Sequence, residues 1–158
     1  APLDTLWINK TNISDLRAVA GKKIVELNIQ NCPISDISVL RGMPLEILWL
    51  NGTKISDISP IANCPLVNLT LAQTDVSDLT PLTDNKVIRL DISDTRVMDL
   101  TPIKRLKLQR LIFTPTNIKN GLEHVRGMKS IKEIGPAFDD QMSPRVFWKR
   151  YDRGGFRG

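Results

Sequence analysis

Two tryptophans and two arginines carry most of the recognition chemistry in this chain. Trp7 and Trp49 stand 42 residues apart, and Arg89 and Arg110 stand 21 apart. An exposed indole offers a large rigid face to another protein. A pair of guanidiniums offers forked donors to a carboxylate or phosphate, and Asp91 lies close enough in sequence to offset them partly. Five aspartates, Asp15, Asp36, Asp57, Asp78 and Asp99, recur at the same interval of 21 residues. Such a column could hold a cation or start a series of helical turns. No neighbouring acids complete an oxygen shell, so capping is the expectation and no metal site is assigned. Catalytic chemistry finds little footing. His124 is the only histidine, no Gly-x-Ser-x-Gly elbow occurs, and no cofactor is expected. The chain reads as a binding module and not as an enzyme.

Residues spaced by 21 need a scaffold with that period. Leu3, Ile24, Leu45, Leu66, Val87 and Leu108 open six successive units. Three residues on stand Leu6, Leu27, Leu48, Leu69, Leu90 and Leu111, and two further on Ile8, Ile29, Leu50, Leu71, Ile92 and Phe113. A small residue follows (Thr11, Cys32, Thr53, Thr74, Thr95, Thr116), then a β-branched one (Ile13, Ile34, Ile55, Val76, Val97, Ile118). The L-x-L centre of each unit has the alternation of a short strand. Aspartate and then proline (Pro60, Pro81, Pro102) mark the first turn of a short helical segment, where a missing N–H costs nothing. About ten residues remain for each return leg, which is room for 3₁₀ or short α segments only.

The frame L-x-x-L-x-L-x-x-T-x-[IV]-S-D-[IL]-[ST]-P-[IL] resembles bacterial leucine-rich repeats of the internalin-like type, over residues 3–134. The segments Leu111–Asn117, Gly121–Glu123, Arg126–Lys129 and Phe147–Asp152 resemble the C-terminal ends of leucine-rich repeat proteins of planctomycete-type bacteria. Some of those are serine/threonine kinases, but no Gly-rich loop or catalytic-loop motif of that class occurs here. The resemblance implies a recognition or regulatory module. The expected fold is a right-handed α/β solenoid with a parallel concave sheet, convex 3₁₀ or α segments and a C-terminal helical cap. Repeats occupy residues 1–135 and the capping segment 136–158.

In the last units the frame changes. Ile131 opens a unit 23 residues after Leu108. Ile131 and Ile134 begin a seventh strand that Gly135-Pro136 is expected to end. Asp139-Asp140-Gln141 reads as a polar linker, and Ser143-Pro144 as a helix start. Val146, Phe147, Trp148 and Tyr151 then supply apolar side chains to cover the last core layer, and Gly154-Gly155 ends the helix.

Between the core leucines, the third, fifth, seventh and eighth positions of each unit should face outward on the concave sheet. The third reads Thr5, Glu26, Ile47, Asn68, Arg89, Arg110, and the fifth Trp7, Asn28, Trp49, Thr70, Asp91, Ile112. The candidate partner-binding set is Trp7, Glu26, Asn28, Ile47, Trp49, Arg89, Asp91, Arg110 and Ile112. Parallel strands lie ~4.8 Å apart, which puts Trp7 and Trp49 roughly 10 Å apart on one surface. Each indole binds a partner, lies flat on its outward neighbours, or packs against earlier repeats.

Charge offers an alternative. Residues 1–85 carry 6 basic and 9 acidic side chains, residues 86–158 carry 16 and 8. The basic half could bind a polyanion or nucleic acid, although a single Arg-Gly-Gly near the end is slight support and a protein partner is preferred. No run approaches the ~18 apolar residues of a membrane span. Cys32 and Cys64 fall in different layers and should be free thiols, a mild lean toward a reducing, cytoplasmic setting. The chain opens Ala1-Pro2 inside a repeat, with neither initiator methionine nor signal peptide. It is therefore expected to be part of a longer protein, or to associate edge to edge through its uncovered first repeat.

Overall fold

The computed structural model describes residues 4–156. Eight strands form one sheet in chain order: β1 Thr5–Trp7, β2 Glu26–Asn28, β3 Ile47–Trp49, β4 Asn68–Thr70, β5 Arg89–Asp91, β6 Arg110–Ile112, β7 Glu133–Ala137 and β8 Asp140–Met142. The first seven are parallel, and β8 returns antiparallel to β7. Register follows the repeat: Leu27 pairs with Leu48, Leu48 with Leu69 and Leu69 with Leu90. The extra residues before Ile131 are absorbed outside the sheet, so that Leu111 still pairs with Ile134. This is a leucine-rich repeat solenoid.

Each layer of the core is one turn of the chain. Leu45, Leu48, Leu50 and Ile55 are fully buried, and so are their equivalents in the following repeats up to Phe113. The first layer is thinner: Leu6 and Ile8 are only partly buried and Ile13 is exposed, while Leu3 lies outside the described residues. The small residue after the strand has a specific role. The hydroxyls of Thr53, Thr74 and Thr95 each donate to the carbonyl three residues back, at 2.7 Å, which satisfies a buried polar group and closes the turn. Cys32 takes the same place and reaches the Ile8 carbonyl at 3.0 Å. Cys32 and Cys64 are buried free thiols.

The first five return legs contain 3₁₀ turns at Arg17–Val19, Ser38–Leu40, Ser59–Ile61, Thr80–Leu82 and Thr101–Ile103, and a further one, Pro115–Asn117, follows β6 directly. Ahead of the first five, the aspartate column does the capping expected of it. Asp15, Asp36, Asp57, Asp78 and Asp99 each accept the backbone N–H two residues on at 2.8 Å. These bonds hold the Asp15, Asp36 and Asp57 carboxyls below the usual carboxylate range. Among the described residues no group of three or more His, Cys, Asp or Glu converges as a metal site.

The strand-to-turn corner imposes a positive φ at one position of each of the first five repeats. Lys10, Asn31, Gln73 and Asp94 adopt φ of 53–60°, and Gly52 occupies the same place at 69°. A left-handed backbone costs a residue with a Cβ roughly 1–2 kcal/mol, part of which glycine returns through its freer unfolded chain. Gln73→Gly should therefore raise stability by about 0.5–1 kcal/mol, read as a higher urea midpoint with unchanged slope. A lower midpoint would mean that the exposed glutamine side chain contributes more than the backbone strain costs.

The closing segment departs from expectation at the bounds of its seventh strand, which begins at Glu133 and not at Ile131, in its hairpin and at Val146. Gly135-Pro136 does not end the seventh strand, and Asp140-Gln141 is not linker: β7 runs through the pair and Asp140–Met142 forms β8. Pairing shifts register between Ile134 and Ala137. Pro136 sits within that irregularity, where the ladder needs no N–H from it. At Gly135 a Cβ would overlap the Asp140 carbonyl, so glycine lets the two strands close. The short helix α1, Leu122–Arg126, replaces a 3₁₀ turn in the sixth return leg. The helix α2, Pro144–Asp152, begins with Ser143 accepting the Val146 N–H. Its Phe147 and Trp148 are buried, whereas Val146 points to solvent. Phe147 packs 5.6 Å from Phe113, and Phe156 returns to cover it at 4.8 Å. Arg126 grips Asp152 with two hydrogen bonds, at 2.9 and 2.6 Å, while lying over Trp148.

Candidate functional site

Strands β1 to β6 are three residues long, and the middle residue of each is a leucine turned toward the core. The residues before and after it therefore turn away from the core onto the concave face. Along this face the fifth-position side chains change size abruptly. Trp7 and Trp49 are followed by Thr70, Asp91 and Ile112. Beyond Ile112 the loop between β7 and β8 raises Phe138, 69% exposed. A concavity of about 460 Å³ lies between Trp49 at one end and Phe138 at the other. Thr70, Asp91 and Ile112 floor it, Asn68, Arg89 and Arg110 form one side, and Gln30 and Asn51 the other.

The two tryptophans do not stand apart. Their ring centroids are 5.3 Å from each other with planes tilted by 41°. They occupy alternate strands on either side of Asn28, so the rings lean together across it. Asn28 is only 2% exposed, and its side-chain oxygen accepts the Gln30 N–H at 3.0 Å. Outward direction therefore does not mean accessibility in this row. Asp91 and Ile112 are buried too, because neighbouring side chains rise around these shorter ones. Trp49 is half-buried, while Trp7 remains mostly exposed.

The arginines lie on adjacent strands in register. Arg89 donates to the Asn68 side-chain oxygen at 2.9 Å. The guanidinium of Arg110 sits 5.7 Å from the Phe138 ring centroid, in cation–π range. Asp91 does not bridge them. Its carboxylate is turned to Ser93, accepting the backbone N–H at 3.0 Å and the hydroxyl at 2.7 Å. Burial raises its pKa, against the Ser93 hydrogen bonds and the nearby charge of Arg110. Among the described residues, neither arginine makes an ion pair with a carboxylate.

Of the nine candidates, Trp49, Arg89, Asp91, Arg110 and Ile112 meet at this concavity, whereas Trp7, Glu26, Asn28 and Ile47 do not line it. Sequence reasoning missed Phe138, which belongs to the closing segment and returns to the face only through the β7–β8 hairpin. Gln30 and Asn51 were readable as outward seventh-position residues but carried no chemical signal of their own.

Solved structures with this architecture include two internalins from Listeria monocytogenes. Internalin C2 is 21% identical with a TM-score of 0.74, over 84% of this chain and 60% of that one. A second internalin, inlF, is 21% identical with a TM-score of 0.63, over 84% of this chain and 47% of that one. The chain thus spans less than two thirds of either length, and at this identity the likeness establishes the fold. No protein-family model matches the chain, and no curated protein does.

Proposed function

We propose that this solenoid is a protein-interaction module whose concave face, from Trp49 to Phe138, receives a segment of a partner protein. The observation that carries the reading is the concavity itself: about 460 Å³, open on the sheet face, with an aromatic wall at each end. Aromatic anchors beside a pocket, with arginine nearby, are the composition of binding hot spots. A half-buried indole at the rim supplies apolar contact area, and the side chains around it are polar enough to fix register. The structural likeness to internalins agrees with an interaction role, since a repeat solenoid presents an extended inner surface to a partner.

A random-peptide library selected on the immobilised full chain tests this. Selected peptides should quench tryptophan emission and slow amide exchange along β4–β6. Trp49→Ala should weaken them by ~2 kcal/mol or more, as truncation of a central aromatic does. Peptides that bind the Trp49→Ala variant undiminished, or that protect the 3₁₀ turns and leave the sheet unprotected, would place the binding surface elsewhere.

A further inference from the structure

We propose that the segment received by the groove carries an acidic side chain, held between Arg89 and Arg110, with an apolar residue beside it. The inference rests on the concave-face reading and adds the chemistry of the partner. Two like charges at directly paired positions repel each other. In this sheet no carboxylate among the described residues lies within ion-pair distance of either: Glu133, paired with Arg110 on β7, makes no ion pair with it, and Asp91 is turned to Ser93. Arg89 spends one guanidinium bond on Asn68, and the Arg110 guanidinium makes no hydrogen bond to the described residues but lies over Phe138. A guanidinium has five N–H donors, so most of both forks remain available. Their strands are ~4.8 Å apart, a separation that two long side chains close easily around one carboxylate. Bringing that carboxylate between them removes the repulsion and gives charge-assisted hydrogen bonds on a partly dehydrated surface.

Two further observations describe the rest of the segment. Thr70 Oγ1 and Asn51 Oδ1 are buried atoms with no hydrogen-bond partner among the described residues, and both residues line the groove. Buried polar atoms are normally paired, and a turn of either side chain into the groove would present these oxygens to the backbone N–H groups of an extended peptide. Phe138, 69% exposed, gives the apolar contact on the Arg110 side. A nucleic acid fits the site less well. The groove holds only these two cations together with a buried aspartate, whereas a polynucleotide needs a longer basic track.

The peptides selected on the full chain test this apart from the reading beneath it. They should be rich in Asp or Glu next to an aromatic or aliphatic residue. Exchanging that acid for its amide should weaken binding to the wild type about tenfold or more. On the Arg89→Gln/Arg110→Gln double variant the same exchange should change affinity less than about twofold. Thermal melting of the double variant checks that the fold is kept. Peptides without an acid that still depend on Trp49 would overturn the acidic recognition and leave the concave-face reading standing. An acid whose exchange costs the same on the double variant would also overturn it, by placing the carboxylate away from the pair. Peptides indifferent to Trp49→Ala would instead sink the reading itself. A single-stranded oligothymidylate that displaces the peptides, and loses affinity in the double variant, would overturn the peptide assignment in favour of nucleic acid.

Discussion

Phe147→Ala should lower the free energy of unfolding by about 3–5 kcal/mol, the range for truncating a fully buried aromatic side chain. Phe147 has no exposed surface and sits where three groups meet. Phe113 of the last regular repeat lies 5.6 Å below it, Trp148 stands edge-on at 4.9 Å, and Phe156 covers it at 4.8 Å. Removing the ring opens a cavity beneath α2 and loosens the helix from the sheet it closes. In a solenoid, terminal layers gain contacts from one side only, so a weakened cap also exposes Leu111 and Ile134 to fraying. Equilibrium urea denaturation measures the loss. Val146→Ala, on the same helix but exposed, should change stability by less than about 0.5 kcal/mol. A Phe147→Ala loss no larger than that of Val146→Ala would show that α2 is an appendage and not a cap.

The second large effect separates the two faces of one strand. Leu48→Ala should cost about 2–5 kcal/mol, since the side chain is wholly buried and packs in register between Leu27 and Leu69. A domain has only about 5–15 kcal/mol to lose, so this variant should approach unfolding at physiological temperature. Trp49→Ala, one residue on, should cost far less. It gives up one aromatic pair, worth about 0.5–1.5 kcal/mol, and uncovers Asn28, which water can solvate. Thermal melting of the two variants side by side gives the comparison. If Trp49→Ala is the more destabilising, the indole pair belongs to the structural core and loses its claim as a binding element.

Much of this architecture can be read from the spacing of leucines. Strand register, core membership and the aspartate caps all follow from one 21-residue interval, because a solenoid translates sequence periodicity into neighbour contacts with little else intervening. The inner surface was less legible, for two physical reasons. Side-chain direction is set by strand alternation, but accessibility depends on the heights of neighbours. Asn28, Asp91 and Ile112 point outward and are nevertheless covered. Phe138 was hidden because Gly135-Pro136 carries the composition of a strand terminator. Only a hairpin whose pairing slips between Ile134 and Ala137 accommodates that proline within β7 and brings Phe138, just beyond the strand, to the inner face.

The uniform register gives the groove a length that changes only in whole steps. Its aromatic walls belong to different layers, Trp49 to β3 and Phe138 to the hairpin after β7, and between them stand β4, β5 and β6. Duplicating one repeat between β4 and β5 would carry the indole wall ~4.8 Å farther from the arginines and leave the arginines, Ile112 and Phe138 in their mutual arrangement. Deleting one would draw it in by the same amount. For a segment bound as proposed, length and charge would thus be set by separate parts of the sequence, the first by the number of layers and the second by the residues on two of them.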